Sequence, residues 1–374
     1  MNKFRTVDLF CGGGGLSQGL QNAGFDIVAA FDWWQPAINF YNQNIVGHSA
    51  YKQDLSNVEE TIERIRKWNP SVIVGGPPCQ DFSSAGKRDE GGGRASLTTA
   101  YAQIVCAVRP QLFIMENVDR AIKAKIYREA LSIFATAGYH LTIAVLDASL
   151  CGVPQRRKRV VVVGSLKESS VPLIDIYKNM QSDKPMTVRD YLGDSLGIEF
   201  YYRHPRSYAR RGIFSIDEPS PTVRGVNRPI PSGYPGHPGD AAPVTTKNLR
   251  QLTTKERSLL QTFPKEWVMI GAKSELEQII GNAVPVKLGE FVGRAIKKVD
   301  SISPLVLQPT KTTEYKKPKE EPETIRQSFF VFEQKARYES RGGMAQIELT
   351  KCISVAIPPL KSIKCRYKRK PANG

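Results

Sequence analysis

Short apolar runs that alternate with helical patterns most restrict the fold of this 374-residue chain. The runs have the length and the branched apolar content of buried strands. They are centred near Thr6, Ile27, Val72, Phe113, Leu141 and Val161. Residues 61–68 and 97–108, which lie between runs, carry apolar side chains at helical spacing. This alternation predicts an α/β domain with helices on both faces of a twisted, mostly parallel sheet.

Reactive side chains stand at the ends of three of these runs. The strings are Gly75-Gly76-Pro77-Pro78-Cys79-Gln80, Glu116-Asn117-Val118 and Gln155-Arg156-Arg157-Lys158-Arg159. Singly, each has an ordinary explanation: Cys79 as a small buried apolar residue, Glu116 as part of a helix cap, and the arginines as a solvated turn. Their joint placement at strand ends, where open α/β sheets bind ligands, instead predicts an active site.

In this order the three strings resemble those of the cytosine-C5 DNA methyltransferases, and the resemblance covers roughly residues 4–298. Cytosine C5 is a poor nucleophile, so the reaction requires a thiolate that adds to C6 and an acid held against N3. The resemblance implies that Cys79 is this nucleophile and Glu116 this acid. It also implies that Asn117 fixes the Pro-Cys loop, that Arg159 holds the cytosine O2, and that Arg157 lies near a phosphate.

The resemblance further implies a fold and a cofactor. The expected fold is α/β and Rossmann-like, as in S-adenosylmethionine-dependent methyltransferases, with a mixed, mostly parallel sheet whose last edge strand is antiparallel. A small, irregular target recognition domain is expected beside it. The expected cofactor is S-adenosyl-L-methionine.

A glycine-rich turn and two acidic residues after strands form the candidate cofactor site. Cys11-Gly12-Gly13-Gly14-Gly15 allows a ligand close to the backbone, although it lacks the full dinucleotide fingerprint. Asp32 can accept ribose hydroxyls, Trp33 can pack on adenine, and Asp54 can meet the adenine amino group. By resemblance, the cofactor residues are Phe10, Gly12, Gly14, Asp32, Trp33, Asp54, Pro78 and Asn282.

Two later segments are similar to the last two motifs of the family. Residues 278–285 resemble the motif that folds back on the cofactor pocket, and residues 257–264 resemble the motif before it. The family usually has a glycine before the Phe-Pro pair of the earlier motif, whereas this chain has Thr262. We expect this departure to affect packing rather than chemistry.

The net charge of +17 and the pI near 9.6 favour a polyanionic partner. Arginines and tyrosines are concentrated between positions 201 and 229, a composition suited to guanine edges and phosphates. The family places its target recognition domain here, which implies binding of double-stranded DNA. The expected nucleic-acid contacts are Gln80, Ser83, Arg203, Arg206, Arg210, Arg211, Arg224 and Arg228.

The predicted organisation has four parts. They are a catalytic and cofactor-binding domain at 1–165, the target recognition domain at 166–246, a return segment completing the catalytic domain at 247–300, and a basic extension at 301–374. The extension contains strand patterns near 328–332 and 346–349. An accessory DNA grip and a solvated basic tail on a packing hairpin explain it equally well.

Cysteine usage and hydropathy restrict the remaining possibilities. Six cysteines without paired spacing and four scattered histidines predict a protein without metal in a reducing compartment. The chain has no membrane-spanning run and no signal sequence, so we expect a cytoplasmic protein. Residues 218–224 resemble a short patch of compact bacterial members of the family, which implies a bacterial enzyme, and we expect it to act on DNA as a monomer.

Three alternatives to the DNA methyltransferase stay open at this point. The first is a transfer-RNA cytosine-C5 methyltransferase with the same catalytic residues, although that branch typically carries a Cys-Phe-Thr tripeptide that is absent here. The others are a nicotinamide-dependent oxidoreductase and a non-catalytic DNA-binding regulator.

Overall fold

The computed structural model describes residues 4–78 and 97–303, together with the backbone of residues 329–336 and 347–355. The strands are β1 Arg5–Leu9, β2 Asp26–Asp32, β3 Ala50–Lys52, β4 Val72–Gly75, β5 Leu112–Val118, β6 His140–Asp147, β7 Gln155–Arg156, β8 Lys158–Ser165, β9 Phe200–Tyr202, β10 Ile213–Ser215, β11 Ser220–Pro221, β12 Arg250–Gln251, β13 Phe329–Ala336 and β14 Ile347–Val355. The α-helices are α1 Gly15–Asn22, α2 Gln35–Asn44, α3 Val58–Arg66, α4 Leu97–Val108, α5 Lys125–Thr136, α6 Leu173–Met180, α7 Val188–Leu192, α8 Thr254–Leu260, α9 Lys273–Asn282 and α10 Val286–Ile302.

The main sheet contains all six predicted strands. Its order is β14-β13-β6-β8-β5-β4-β1-β2-β3. Pairing is parallel except along β8 and between β13 and β14, which confirms a mixed, mostly parallel sheet. One edge strand, β14, is antiparallel to its neighbour as expected, and a further antiparallel strand, β8, lies between β5 and β6. β3 was not predicted, because its three residues form no apolar run and two of them are exposed.

Helices cover both faces of this sheet, as the alternation of strands and helices predicted. Successive strand residues point to opposite faces. Val72 and Val74 pack with residues of α1, α6 and α10, whereas Ile73 packs with residues of α3, α4 and α5. On the second face, the rings of Phe113 and Phe134 stack with their centroids 4.1 Å apart. The carboxyl ends of β1, β2, β4 and β5 therefore meet at one edge between two packed layers.

Helix α1, which follows the glycine turn, is locked to α10 by glycines on both helices. Gly15 and Gly19 of α1 approach the start of α10, and Gly289 and Gly293 of α10 approach α1. A Cβ on Gly19 would lie 2.3 Å from the carbonyl oxygen of Val286. Only glycine permits this backbone approach, so the return segment determines where α1 and its turn lie.

A small lobe lies beyond the main sheet. Its three-stranded sheet has the order β10-β9-β12, so it extends past residue 246. Helix α6, although within 166–246, packs in the core of the large domain with α1 and α10. The expected strands near 328–332 and 346–349 are present as β13 and β14. β13 pairs in parallel with β6, so this hairpin extends the main sheet.

Candidate active site

The carboxyl end of β5 carries the predicted acid, Glu116, against an arginine. Glu116 Oε1 lies 2.7 Å from Arg159 Nε, and both side chains are about one-tenth exposed. The antiparallel register pairs Val118 with Arg159, which puts the arginine diagonally across from Glu116 on the same face. Burial raises the pKa of Glu116, and the positive charges of Arg159 and Arg157 partly oppose that rise. A carboxyl that retains its proton more readily is suited to donate it.

The end of β4 is held against this acid. A Cβ on Gly76 would lie 3.2 Å from Glu116 Oε2, so the glycine lets the carboxylate approach the backbone. Asn117 Nδ2 donates to the Pro77 carbonyl oxygen at 2.8 Å, which is the backbone contact expected for this residue. Pro78 is exposed. Cys79, Gln80 and Ser83 lie outside the described residues, and Cys79 is the first residue after this anchored turn.

Arg157 does not occupy the position expected from the sequence. Its side chain is only 2% exposed, and its guanidinium donates to the carbonyl oxygens of Val223, Gly281 and Ala283 at 3.0–3.2 Å. The expected phosphate contact is therefore wrong for this conformation, because the donors face the protein interior.

The candidate cofactor residues gather where β1 and β2 end. The Gly12 amide donates to Asp32 Oδ2 at 2.9 Å, and the Trp34 amide donates to Asp32 Oδ1 at 2.8 Å. Phe10 and Gly12 both adopt left-handed backbone conformations, with φ of 60° and 52°. A Cβ on Gly12 would meet no atom within 4 Å, so open space adjoins the turn. Since a carboxylate has more acceptor sites than these two bonds use, Asp32 can also accept ligand hydroxyls.

An exposed indole lies beside this carboxylate. Trp33 is 62% exposed, and Lys52 Nζ lies 5.0 Å from its ring centroid. β2 pairs with β3, which brings Asp54, two residues past β3, to the same edge of the sheet. Asp54 is exposed, and its Oδ1 accepts from the amide and hydroxyl of Ser56. This edge therefore offers an acid and an aromatic face suited to a nucleoside.

Gly14 and Asn282 have different surroundings. Gly14 has φ of 85°, and a Cβ there would lie 2.2 Å from Ile45 Cδ1 and 2.8 Å from Tyr41 Cδ2. Gly14 therefore makes room for α2 and its loop, and its expected contact with the cofactor stays a prediction. Asn282 is exposed at the end of α9.

Asp8 is a buried acid that sequence reasoning missed. It lies on β1 beneath the glycine turn, and Ser17 of α1 donates its hydroxyl to Asp8 Oδ2 at 2.6 Å. Burial raises the pKa of Asp8 to about 7, and the nearby Asp32 adds to that rise. The sequence signal that could have revealed Asp8 is an acidic residue inside the apolar run of β1.

The segment at 218–224 joins the small lobe to the catalytic strands. β11 pairs in parallel with β7, and Thr222 Oγ1 donates to the Arg156 carbonyl oxygen at 2.7 Å. Gln155 is fully buried and accepts the Val223 amide at 2.9 Å, while its own amide donates to the Leu260 carbonyl at 3.1 Å. Gln155 belongs to the third string, but its role as a buried bridge between these segments was not predicted.

The arginines of the lobe fall into two groups. Arg206, Arg210 and Arg228 are exposed. The half-buried Arg203, Arg211 and Arg224 bond to the Thr222 carbonyl, to Glu218 and to the His204 carbonyl, respectively. The guanidiniums of this second group, which were predicted to contact DNA, therefore donate to groups within the protein.

Positive charge accumulates around these side chains. Burial and then the charges of neighbouring arginines lower the pKa of Arg203 to about 10 and also lower the pKa of Arg224. The pKa of His204 is lowered as well, first by burial and then by the positive charges of Arg228 and Arg224. These four residues line a cavity of about 30 Å³. Such mutual repulsion favours binding of a polyanion, which would relieve it.

The described part of the chain has neither a cluster of metal-binding side chains nor a membrane-spanning helix. Residues 4–78 and 97–303 contain no group of three or more histidine, cysteine, aspartate or glutamate side chains that could hold a metal ion. No helix among the described residues has the length and apolarity required to span a membrane.

Comparison with known proteins identifies the class of enzyme to which this site belongs. The C-5 cytosine-specific DNA methylase family matches residues 4–298, so the chain belongs to that family and is a DNA cytosine-C5 methyltransferase. It is 56% identical over 292 residues to Type II methyltransferase M.HindV of Haemophilus influenzae, covering 78% of this chain and 96% of the relative. It is 54% identical over 293 residues to Type II methyltransferase M.HgiDI of Herpetosiphon aurantiacus, covering 78% and 94%.

A solved structure shares the fold at lower identity. The S. pombe Dnmt2 methyltransferase has a TM-score of 0.58 and 19% identity, covering 80% of this chain and 99% of that protein. This likeness confirms the expected Rossmann-like methyltransferase fold.

Proposed function

We propose that the protein transfers a methyl group from S-adenosyl-L-methionine to C5 of a flipped cytosine in a short duplex DNA site, through a covalent bond between Cys79 and C6. The observation that carries the proposal is the buried Glu116–Arg159 pair beside the turn that Asn117 anchors and that leads into Cys79. The similarity of this chain to relatives named as Type II methyltransferases supports a role in a restriction-modification system, where methylation protects host DNA.

The catalytic residues act in sequence on the extruded base. Extrusion costs a few kcal/mol, which contacts in the pocket recover. The Cys79 thiolate adds to C6, and the electron pair displaced toward N3 takes the proton of Glu116. Arg159 neutralises the carboxylate that forms and holds the cytosine O2. C5 thereby becomes nucleophilic enough to accept a methyl group.

Release of the methylated base reverses the addition of Cys79 and the proton transfer to N3. After methylation, a base removes the C5 proton, and the electron pair left on C5 re-forms the ring double bond as the C6–S bond breaks. Cys79 leaves as a thiolate, and the N3 proton returns to Glu116.

The residues at the ends of β1 and β2 fit S-adenosyl-L-methionine. Asp32 would hold the ribose hydroxyls, Trp33 would pack on the adenine, and the open side of Gly12 leaves room for the ligand. The remaining proposed contacts are Phe10, Asp54, Pro78 and Asn282. When bound, this cofactor supplies an electrophilic methyl group.

The exposed arginines of the small lobe are the proposed DNA contacts. Arg206, Arg210 and Arg228 have guanidiniums free to meet phosphates or guanine edges, together with Gln80 and Ser83 from the segment after β4. Arg203, Arg211 and Arg224 support this surface from within. We propose that the enzyme binds its site as a monomer in the bacterial cytoplasm.

Methyl transfer to defined substrates tests the proposal. Purified protein is incubated with methyl-labelled S-adenosylmethionine and either unmethylated duplex DNA or transfer RNA, and bisulfite sequencing then locates the modified cytosines. We expect label in DNA at one short sequence, and none in RNA. Label in transfer RNA alone would establish the alternative RNA methyltransferase, and no label in either would overturn the proposal.

Two further measurements address the covalent step. Cys79→Ser should lose turnover and keep DNA binding, because an alkoxide is far less accessible than a thiolate near neutral pH. Duplex DNA with 5-fluorocytosine at the target should trap the parent protein covalently, because fluorine cannot leave as the proton does. Turnover of the variant near the parent rate, or the absence of a denaturant-resistant adduct, would contradict attack at C6.

A further inference from the structure

We propose that Arg157 is a positioning residue that couples cofactor binding to the engagement of DNA by the small lobe. Its buried guanidinium donates to Gly281 and Ala283 at the end of α9, at 3.1 and 3.0 Å. It also donates to Val223 at 3.2 Å, next to Arg224 in the lobe. One cation therefore holds a segment of the large domain and a segment of the lobe together.

The end of α9 is in direct contact with the glycine turn. A Cβ on Gly13 would lie 2.5 Å from Ile279 Cγ2, and one on Gly15 would lie 2.1 Å from the Val284 carbonyl oxygen. Interiors packed at this density do not deform continuously. A ligand that fixes the glycine turn therefore also restricts the end of α9.

The same end of α9 is in contact with the lobe backbone. A Cβ on Gly281 would lie 2.1 Å from the Gly225 nitrogen and 2.3 Å from the Arg224 carbonyl carbon. Arg257 donates to the Arg224 carbonyl and forms a buried ion pair with Glu277 of α9. The last turn of α9 thus lies between the turn expected at the cofactor and the segment carrying a lobe arginine.

Arg157 favours the one arrangement in which the end of α9 and the lobe segment at Val223 both contact its guanidinium. If either segment moved, the buried guanidinium would keep a donor without an acceptor, which is costly in the protein interior. A ligand that stabilises one segment therefore favours the arrangement in which the other is also held. The inference rests on the proposed function, since it requires the cofactor at the glycine turn and DNA on the lobe.

A two-ligand titration of Arg157→Lys tests the coupling. The affinity for a duplex containing the methylated site is measured with and without S-adenosylhomocysteine, for the parent protein and the variant. We expect the cofactor product to tighten DNA binding at least about fivefold in the parent. Lysine keeps the charge but lacks the planar fork that reaches several carbonyls. The variant should therefore show less than about a twofold effect, while its affinity for each ligand alone stays within about threefold of the parent.

Arg156→Lys is the matched control. Arg156 is the preceding residue, on β7, and its Nη2 lies 3.3 Å from Glu218 Oε2, in the segment that joins the lobe to the catalytic strands. This variant makes the same chemical change beside the same strand and should keep the parent coupling. Equal coupling in the parent and in Arg157→Lys would overturn the inference, as would equal loss in both variants.

Hydrogen exchange of the parent protein decides the question if Arg157→Lys does not fold. Adding S-adenosylhomocysteine without DNA should slow amide exchange in peptides that cover residues 222–226, where the Val223 amide donates to Gln155. No change there, with the cofactor product bound, would overturn the coupling. A parent that binds neither S-adenosylhomocysteine nor DNA would instead overturn the proposed function, so the two failures are distinguishable.

Discussion

Replacing Arg159 with methionine should destabilise the protein by an amount that increases with pH. The change keeps much of the apolar stem and removes the guanidinium that lies 2.7 Å from Glu116 Oε1. Breaking a fully buried ion pair costs about 3–5 kcal/mol. Because both side chains are about one-tenth exposed and Arg157 remains as a second cation, we expect about 2–4 kcal/mol near pH 8.

The sign of the pH dependence follows from the pKa of Glu116. Burial raises this pKa above its value of about 4.3 in the unfolded chain, so the folded state binds the proton more tightly. The resulting stabilisation is fully present below the unfolded pKa and is lost as the pH rises through the folded pKa. Arg159 lowers the pKa of Glu116 in the folded state, so its removal raises that pKa and extends the pH dependence of stability to higher pH. As the pH falls and a larger share of Glu116 is protonated, the cost of the substitution should shrink toward that of the lost hydrogen bonds, about 1 kcal/mol each.

Urea unfolding followed by circular dichroism, from pH 5 to pH 8, measures this difference. The comparison includes Glu116→Gln and the double variant, because the amide cannot ionise. Glu116→Gln in the Arg159→Met background should abolish the additional pH dependence. If the destabilisation by Arg159→Met were the same at pH 5 and pH 8, the account of a buried carboxylate paired with this arginine would be refuted.

Three further changes test the packing and the cofactor site. Gly19→Ala should lower the melting temperature, because overpacking costs about 1–3 kcal/mol and the gain in helix propensity is only about 1 kcal/mol. As a control, Gly233→Ala should leave the melting temperature unchanged, because a Cβ there would meet nothing within 4 Å. Thr262→Val should cost about 1–3 kcal/mol in urea unfolding, because it leaves the Lys287 amide without its 2.9 Å acceptor, and a cost near zero would contradict this role. Trp33→Ala should weaken S-adenosylmethionine binding in calorimetry without changing the melting temperature, since the ring is 62% exposed; equal affinity would remove it from the site.

Thr262 illustrates a departure from the family whose effect depends on its partners in the fold. The residue has φ of 57°, a left-handed conformation in which a β-branched side chain is unfavourable. Its hydroxyl accepts the Lys287 amide in the first turn of α10, which compensates part of that strain. The expectation that this departure affects packing agrees with that contact, but the compensating bond was not visible in the chain, because its partner lies 25 residues away.

The strands and the order of the catalytic strings could be predicted from the sequence alone. Strand and helix periodicities are local, so runs of a few residues revealed β1, β2, β4, β5, β6 and β8, six of the nine described strands of the main sheet, and the helix at Leu97–Val108. The glycine turn, Glu116 and Asn117 were also identifiable, because each directly follows or ends one of those runs. Local pattern therefore predicted the fold class and placed these residues at strand ends, while their roles came from the resemblance to a family.

The partner of each charged side chain was decided only by the tertiary structure. Arg157 and Arg159 are two residues apart, yet one contacts carbonyls of α9 and the lobe while the other pairs with Glu116. That difference arises because β8 runs antiparallel between β5 and β6, and because α9 and the lobe close over its start. Register and burial set which donors face the interior. These depend on contacts between segments 43 to 126 residues apart, which no local pattern encodes.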